Sequence, residues 1–167
     1  MTSLFQSVSG HDYEVDCWEF QTVTSIMMEE DNFDSRGFSI DTCRSMVALL
    51  DWSRNGKLEL REFEELWKHV LFWRRTFLAN DPGGAGTLSS FRLREALQDV
   101  GFNIPTSVIG GLVLRYSNQN WEISFDDFVS CATKLKTMVE IFNERAILSS
   151  SSAAVSLDDW VELTMYS

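Results

Sequence analysis

The stretch DWSRNGKLELRE, Asp51 to Glu62, decides how this chain is read. Oxygen-bearing side chains alternate at Asp51, Ser53 and Asn55, and Glu62 closes the run at its twelfth position. Gly56 stands sixth, where a sharp bend asks for a positive φ. Alternate positions of such a bend point inward, so the run gathers hard oxygens around one point. A calcium ion takes six to eight of them at about 2.3–2.6 Å. Lys57 offers its backbone carbonyl with its side chain turned away, Glu59 is placed to hold a water, and Glu62 to bind through both oxygens. Trp52 and Arg54 fall on outward positions. The alternative is a surface turn at Asn55-Gly56, a strong turn pair. It explains two residues of twelve and leaves the flanks unexplained.

Those flanks are helical. Cys43, Met46, Val47 and Leu50 make one apolar face, and Phe63, Leu66, Trp67 and Val70, with Arg74 and Phe77, make another. Leu93, Ala96, Leu97 and Val100 form a third, and Ile109, Leu112, Val113 and Tyr116 a fourth. Phe125, Phe128, Val129, Ala132 and Leu135, with Met138 through Phe142, continue the pattern, and Leu157, Trp160, Val161, Thr164 and Met165 close the chain. Spacing of this kind predicts an all-α domain. Polar, Gly- or Ser-rich breaks separate the stripes at 9–19, 51–62, 81–92, 116–127 and 146–156. Each carries one late aliphatic residue: Val15, Leu58, Leu88, Ile123, and Ala153 or Val155.

A helix–loop–helix unit with one inward aliphatic residue, able to pair with a second loop as a short strand, is the EF-hand. Its pattern is D-x-[DN]-x-[DN]-G followed by Glu, from which DWSRNGKLELRE departs only at Ser53. That weakening predicts an affinity on the order of 10⁻⁶ to 10⁻⁴ M. The expectation is one domain over 1–167 with five such units and short strand pairings between loops. SSSSAAVS (149–156) reads as a degenerate fifth loop, or alternatively as a flexible linker.

The other loops differ in their ligands. SGHDYEVDCWE (9–19) is one residue short, yet Asp12 and Glu19 stand at either end of a bend opened by Gly10, with carbonyls of Ser9 and Glu14 available. DPGGAGTLSSFR (81–92) keeps Asp81 and Gly86 but has Gly83, Ala85 and Arg92 at positions 3, 5 and 12. Arginine repels the ion, and its guanidinium can fill the site instead. YSNQNWEISFDD (116–127) has Trp121 at the bend position, and Asp126 and Asp127 read as N-terminal helix charges or as a peripheral cation site. The fifth loop has no carboxylate.

Fourteen Lys and Arg against twenty-five Asp and Glu leave a net charge of −11. That argues against nucleic-acid binding, which needs a basic surface, and against strong docking on anionic membranes. Cys17, Cys43 and Cys131 lack disulfide or zinc spacing and read as buried thiols of an intracellular protein. No span or signal peptide is visible. His11 and His69 have no nucleophile beside them, so no catalytic residue is assigned. The amphipathic start (Leu4, Phe5, Val8) reads as the cut end of a longer chain.

The runs GFSIDTCRSMVALLD (37–51), GKLELREFEELW (56–67) and DDWVELTMYS (158–167), with the short first loop, resemble the penta-EF-hand domain of calpains over nearly the whole chain. Calpains are calcium-dependent cytoplasmic cysteine proteases, and the resemblance implies a regulatory and dimerising domain with its protease core upstream of Met1. It implies calcium ligands at Ser9, Asp12, Glu14 and Glu19 in loop 1, and at Asp51, Ser53, Asn55, Lys57 and Glu62 in loop 2. It also implies that the fifth unit pairs with another chain through Val155, Leu157, Trp160, Val161 and Met165. The product is a homodimer or a heterodimer with a calpain small subunit. A family site near the fourth unit matches Ser124, Asp126 and Asp127, but Ser124 and Arg36 depart from it. This loss of ligands points to a divergent large subunit. The competing readings are a calcium-independent interaction scaffold with a vestigial EF-hand fold, and a free-standing penta-EF-hand adaptor.

Overall fold

A computed structural model describes residues 2–30, 37–145, 156–158 and 160–161. Its elements run α1 (Thr2–Val8), α2 (Cys17–Glu30), α3 (Ile40–Leu50), α4 (Leu60–Asn80), β1 (Thr87–Ser89), α5 (Ser90–Val100), α6 (Thr106–Tyr116), β2 (Glu122–Ser124) and α7 (Phe125–Arg145). Local chemistry sets several of these ends. Ser39 caps α3 by accepting the Thr42 N–H at 3.2 Å. Gly101, at φ 108°, closes α5 in the left-handed conformation that favours glycine. Pro105 then stands at the N-cap of α6.

The helices flank loops that meet in pairs. Val15 and Leu58 form an antiparallel bridge, each N–H reaching the other's carbonyl at 2.9 Å. In the second pair Thr87, Leu88 and Ser89 of β1 face Ser124, Ile123 and Glu122 of β2. The late aliphatic residues therefore do what the sequence predicted, and Val15, Leu58, Leu88 and Ile123 are all buried. The all-α expectation with short strand pairings holds. Helix α4 leaves the 51–62 loop and enters the 81–92 loop, so it joins the two pairs.

Two aromatic clusters sit near the ends of α4. Phe63 contacts Phe5 and Phe20 edge-on, with centroids 5.4 and 6.1 Å away, and stacks on Trp67 at 5.9 Å. Toward the other end Phe77 meets Phe125 and Phe128 at 5.1 and 5.7 Å, and Phe125 meets Phe38 at 5.3 Å. Such pairs contribute about 0.5–1.5 kcal/mol each beyond their burial.

The structure departs from the sequence stripes in four places. Phe20, Val23 and Met28 give α2 a buried face that the stripes omit. On α4 the buried residue is Trp73, and Arg74 lies half-buried beside it. Helix α6 is only half-buried at Ile109, Leu112, Val113 and Tyr116. The core face of α7 stops at Leu135, because Met138, Val139 and Phe142 extend past it and are exposed. Cys43 and Cys131 are buried, and burial pushes their thiols up to about 12. No described helix is long and apolar enough to cross a membrane.

Candidate calcium sites

Loop 2 is shaped by its first residue. Asp51 is buried, and its Oδ1 accepts the Asn55 N–H at 3.2 Å and the Ser53 hydroxyl at 3.1 Å. Its Oδ2 accepts the Gly56 N–H at 2.7 Å. Gly56 has φ 82° and Arg54 φ 56°, so both stand in the left-handed region. Glu62 reaches back from the first turn of α4. Its Oε1 accepts the Trp52 N–H at 2.8 Å, and its Oε2 accepts the Glu59 N–H at 2.7 Å, the return arm of a capping box. Asp51 and Glu62 thus stand together at the mouth of the loop, and each is only 4 % exposed. Among the described residues no cationic side chain pairs with Glu62. A buried carboxylate with backbone donors alone still carries an unneutralised charge. That is where the donor set fits a calcium ion.

Asn55 and Lys57 look in two directions. The Asn55 Oδ1 accepts the Lys57 N–H at 2.9 Å, while its Nδ2 donates to Glu14 Oε1 of loop 1 at 3.0 Å. Lys57 Nζ lies 2.5 Å from Asp12 Oδ2 and 4.0 Å from Glu14 Oε2. The hydrogen-bonded ammonium holds the Asp12 carboxyl below its ordinary value, and Asp12 raises the lysine. The sequence missed this contact, since side chains at outward positions give no signal of what they reach.

Loop 1 turns through Tyr13, at φ 59°. A Cβ placed on Gly10 would lie 3.5 Å from Glu19 Oε1 and 3.7 Å from Asp12 Oδ1, so both carboxylates converge over the bare glycine. Glu19 Oε2 accepts the Asp16 N–H at 3.0 Å. Ser9 is buried, and its hydroxyl has no hydrogen-bond partner. A bare cradle, two converging carboxylates and an orphaned polar atom fit a cation here too. No three His, Cys, Asp or Glu side chains converge anywhere among the described residues. Each candidate site offers a carboxylate at either end, with the remaining donors neutral.

Loop 3 has the same backbone and first aspartate but lacks the ligands at positions 3, 5 and 12. Asp81 Oδ1 accepts the Ala85 N–H at 3.1 Å and Oδ2 the Gly86 N–H at 2.8 Å. Arg92 does not fill the loop, contrary to expectation. It pairs with Glu95 at 2.5 Å, one turn along the exposed side of α5. In loop 4 Trp121 adopts φ 62° where a glycine would be unstrained, and Asn118 Oδ1 accepts the Asn120 and Glu122 N–H groups. Asp127 accepts the Ser124 hydroxyl at 2.6 Å, and Asp126 accepts the Ser39 N–H at 3.0 Å, so both serve helix ends. Leu157, Trp160 and Val161 are exposed. Arg36, Val155 and Met165, and loop 5 up to residue 155, lie outside the described residues.

Calpain-B of Drosophila melanogaster is 41% identical over 164 residues, 98% of this chain and 18% of that protein. Calpain small subunit 1 of Homo sapiens is 32% identical over 165 residues, 98% of this chain and 62% of that protein. The chain is homologous to calpain subunits. It spans about a fifth of Calpain-B and fixes no one member of the group. The fold is that of a solved homolog of programmed cell death 6 protein from Leishmania major Friedlin, with a TM-score of 0.68 at 18% identity. That match covers 99% of this chain and 92% of the other. No protein-family profile matches the chain.

Proposed function

We propose that the chain is the calcium-binding regulatory and dimerisation domain of a calpain-type cysteine protease, whose catalytic residues lie in a part of the protein outside this chain. The carrying observation is the pair of buried carboxylates at the mouth of loop 2, Asp51 and Glu62, each 4 % exposed. Bound calcium supplies the positive charge that offsets the desolvation of Glu62. Asp51, Ser53, Asn55, the Lys57 carbonyl and Glu62 hold it in loop 2, and the Ser9 and Glu14 carbonyls with Asp12 and Glu19 hold it in loop 1. Asp51 follows α3 and Glu62 opens α4, so closing them on one ion fixes the angle between these helices. Helix α4 carries that change to the second loop pair. Leu157, Trp160 and Val161, with Val155 and Met165, form the face through which the fifth unit pairs with a second copy or a calpain small subunit.

Calorimetry tests the calcium reading. The 167-residue chain should give binding heat at micromolar to millimolar calcium. Glu62→Gln should weaken loop 2 about a hundredfold, roughly 2–3 kcal/mol. At a hundredfold excess over Kd the melting curve should gain about 2.7 kcal/mol of stability. Identical melting with calcium and with chelator favours the calcium-independent scaffold, a reading that the ligand-poor third loop keeps in play. Sedimentation tests pairing: Trp160→Glu should convert a dimer to monomer, and a monomeric parent at tens of micromolar counts against the homodimer.

A further inference from the structure

Lys57 is built into loop 2 by its main chain and into loop 1 by its side chain. Its neighbour Leu58 is fixed to Val15 by two backbone hydrogen bonds of 2.9 Å, so the ammonium is delivered across the loop pair from a rigid anchor. It meets Asp12 at 2.5 Å, and Asn55 Nδ2 holds the adjacent Glu14 at 3.0 Å. Asp12 divides its oxygens: Oδ2 takes the ammonium, while Oδ1 accepts the Glu14 N–H at 3.3 Å and faces the bare Gly10, 3.7 Å from where a Cβ on it would stand. The carboxylate that loop 1 offers to an ion is therefore already shared with a cation of the chain itself.

We infer that Lys57 is a tethered cation that neutralises Asp12 and sets the calcium affinity of loop 1 below that of loop 2. The inference rests on the calcium reading above and deepens it. A unit positive charge on the far oxygen of a ligand carboxylate repels a divalent ion and withdraws the negative charge that attracts it. At a partly exposed site, a few ångströms apart, this amounts to roughly a tenfold loss of affinity. Loop 2 escapes the penalty because Lys57 offers it only a carbonyl and sends its charge away. Loop filling is thus ordered: loop 2 fills first, and loop 1 fills at higher calcium. The second loop pair has no such device, since Thr87 stands at the matching position of loop 3.

The experiment isolates loop 1 by working in the Glu62→Gln background and titrating the chain with calcium by calorimetry. Adding Lys57→Met should tighten the remaining site about tenfold, whereas Lys57→Arg, which keeps the charge, should leave it within about twofold. An unchanged or weaker site in Lys57→Met overturns the inference, as does the absence of heat in both backgrounds. A second readout follows the amine itself. Acetylation of Lys57, quantified by peptide mass, should be slow without calcium and several-fold faster with it; a calcium-independent rate also overturns the inference. Asp12→Asn silences loop 1 and reports on loop 2 alone. Absence of heat in that variant overturns the loop 2 reading without touching the loop 1 comparison.

Discussion

Loops 2 and 3 stand at opposite ends of α4, share one backbone shape and a first aspartate, and differ at the other side chains an ion would touch. In both, the first aspartate accepts the N–H groups of positions 5 and 6, at 3.2 and 2.7 Å in loop 2 and at 3.1 and 2.8 Å in loop 3. In both, positions 4 and 6 are left-handed: Arg54 and Gly56, then Gly84 and Gly86. Yet loop 3 has Gly83, Ala85 and Arg92 where loop 2 has Ser53, Asn55 and Glu62. The shape of an EF-hand loop is set by one aspartate and one glycine, and its chemistry by three other positions. The two are separable, so loop 3 has kept its place in the fold and its Asp81 while the side-chain ligands at positions 3, 5 and 12 are gone.

Returning ligands to loop 3 should have the largest effect. Gly83→Asp, Ala85→Asn and Arg92→Glu all fall at exposed positions, and a Cβ on Gly83 meets nothing within 4 Å. If shape is already in place, the triple variant gains one calcium site with a Kd on the order of 10⁻⁶ to 10⁻⁴ M. Calorimetry reads this as an added molar equivalent of heat. No added equivalent means that the backbone match is not enough.

A smaller effect sharpens the same contrast. Asp81→Ala removes the acceptor for two backbone amides and should cost about 2 kcal/mol, a fall of roughly 4–8 °C in Tm for a chain of this size. Its calcium heat should be unchanged. Asp51→Ala should cost a similar stability and also lose the loop 2 heat. If Asp81→Ala weakens calcium binding, loop 3 contributes to the ion sites after all.

The loops were legible because their grammar is local. A glycine at a positive φ and a lone aliphatic residue both announce themselves in sequence, and Leu58 and Leu88 lie buried in their pairings. The buried face of α2 was not legible because Trp18 and Ile26 on its outer side are also large and apolar, which hides the stripe of Phe20, Val23 and Met28. On α4, Trp73 and Arg74 both fit the helical period, and packing alone puts the indole inside. Arg92 misled because a guanidinium is cheaper to place beside Glu95 on an exposed helix than inside an empty loop. The contact of Lys57 with Asp12 joins positions 45 residues apart and exists only once Val15 and Leu58 have paired.

The smallest effect concerns the helix that both loops share. His69 lies midway along α4, half-buried and stacked on Trp73 at 5.7 Å. Burial, together with the Lys136 ammonium of α7 and Lys68, lowers its pKa from 6.5, while Glu65 and Glu140 pull the other way. A lowered folded value means that the unfolded chain binds more protons just below 6.5. Stability is therefore full above that pH and declines as pH falls from it to the lowered folded value, below which there is no further loss. Melting from about pH 7.5 to about pH 5.5 should show a modest fall in Tm that His69→Phe flattens. Because α4 carries Glu62 at one end and leads into Asp81 at the other, both loop pairs should lose stability together. Hydrogen exchange can check this: a loss of protection confined to one pair would show that α4 does not couple them, and that the two loops share a helix without sharing its stability.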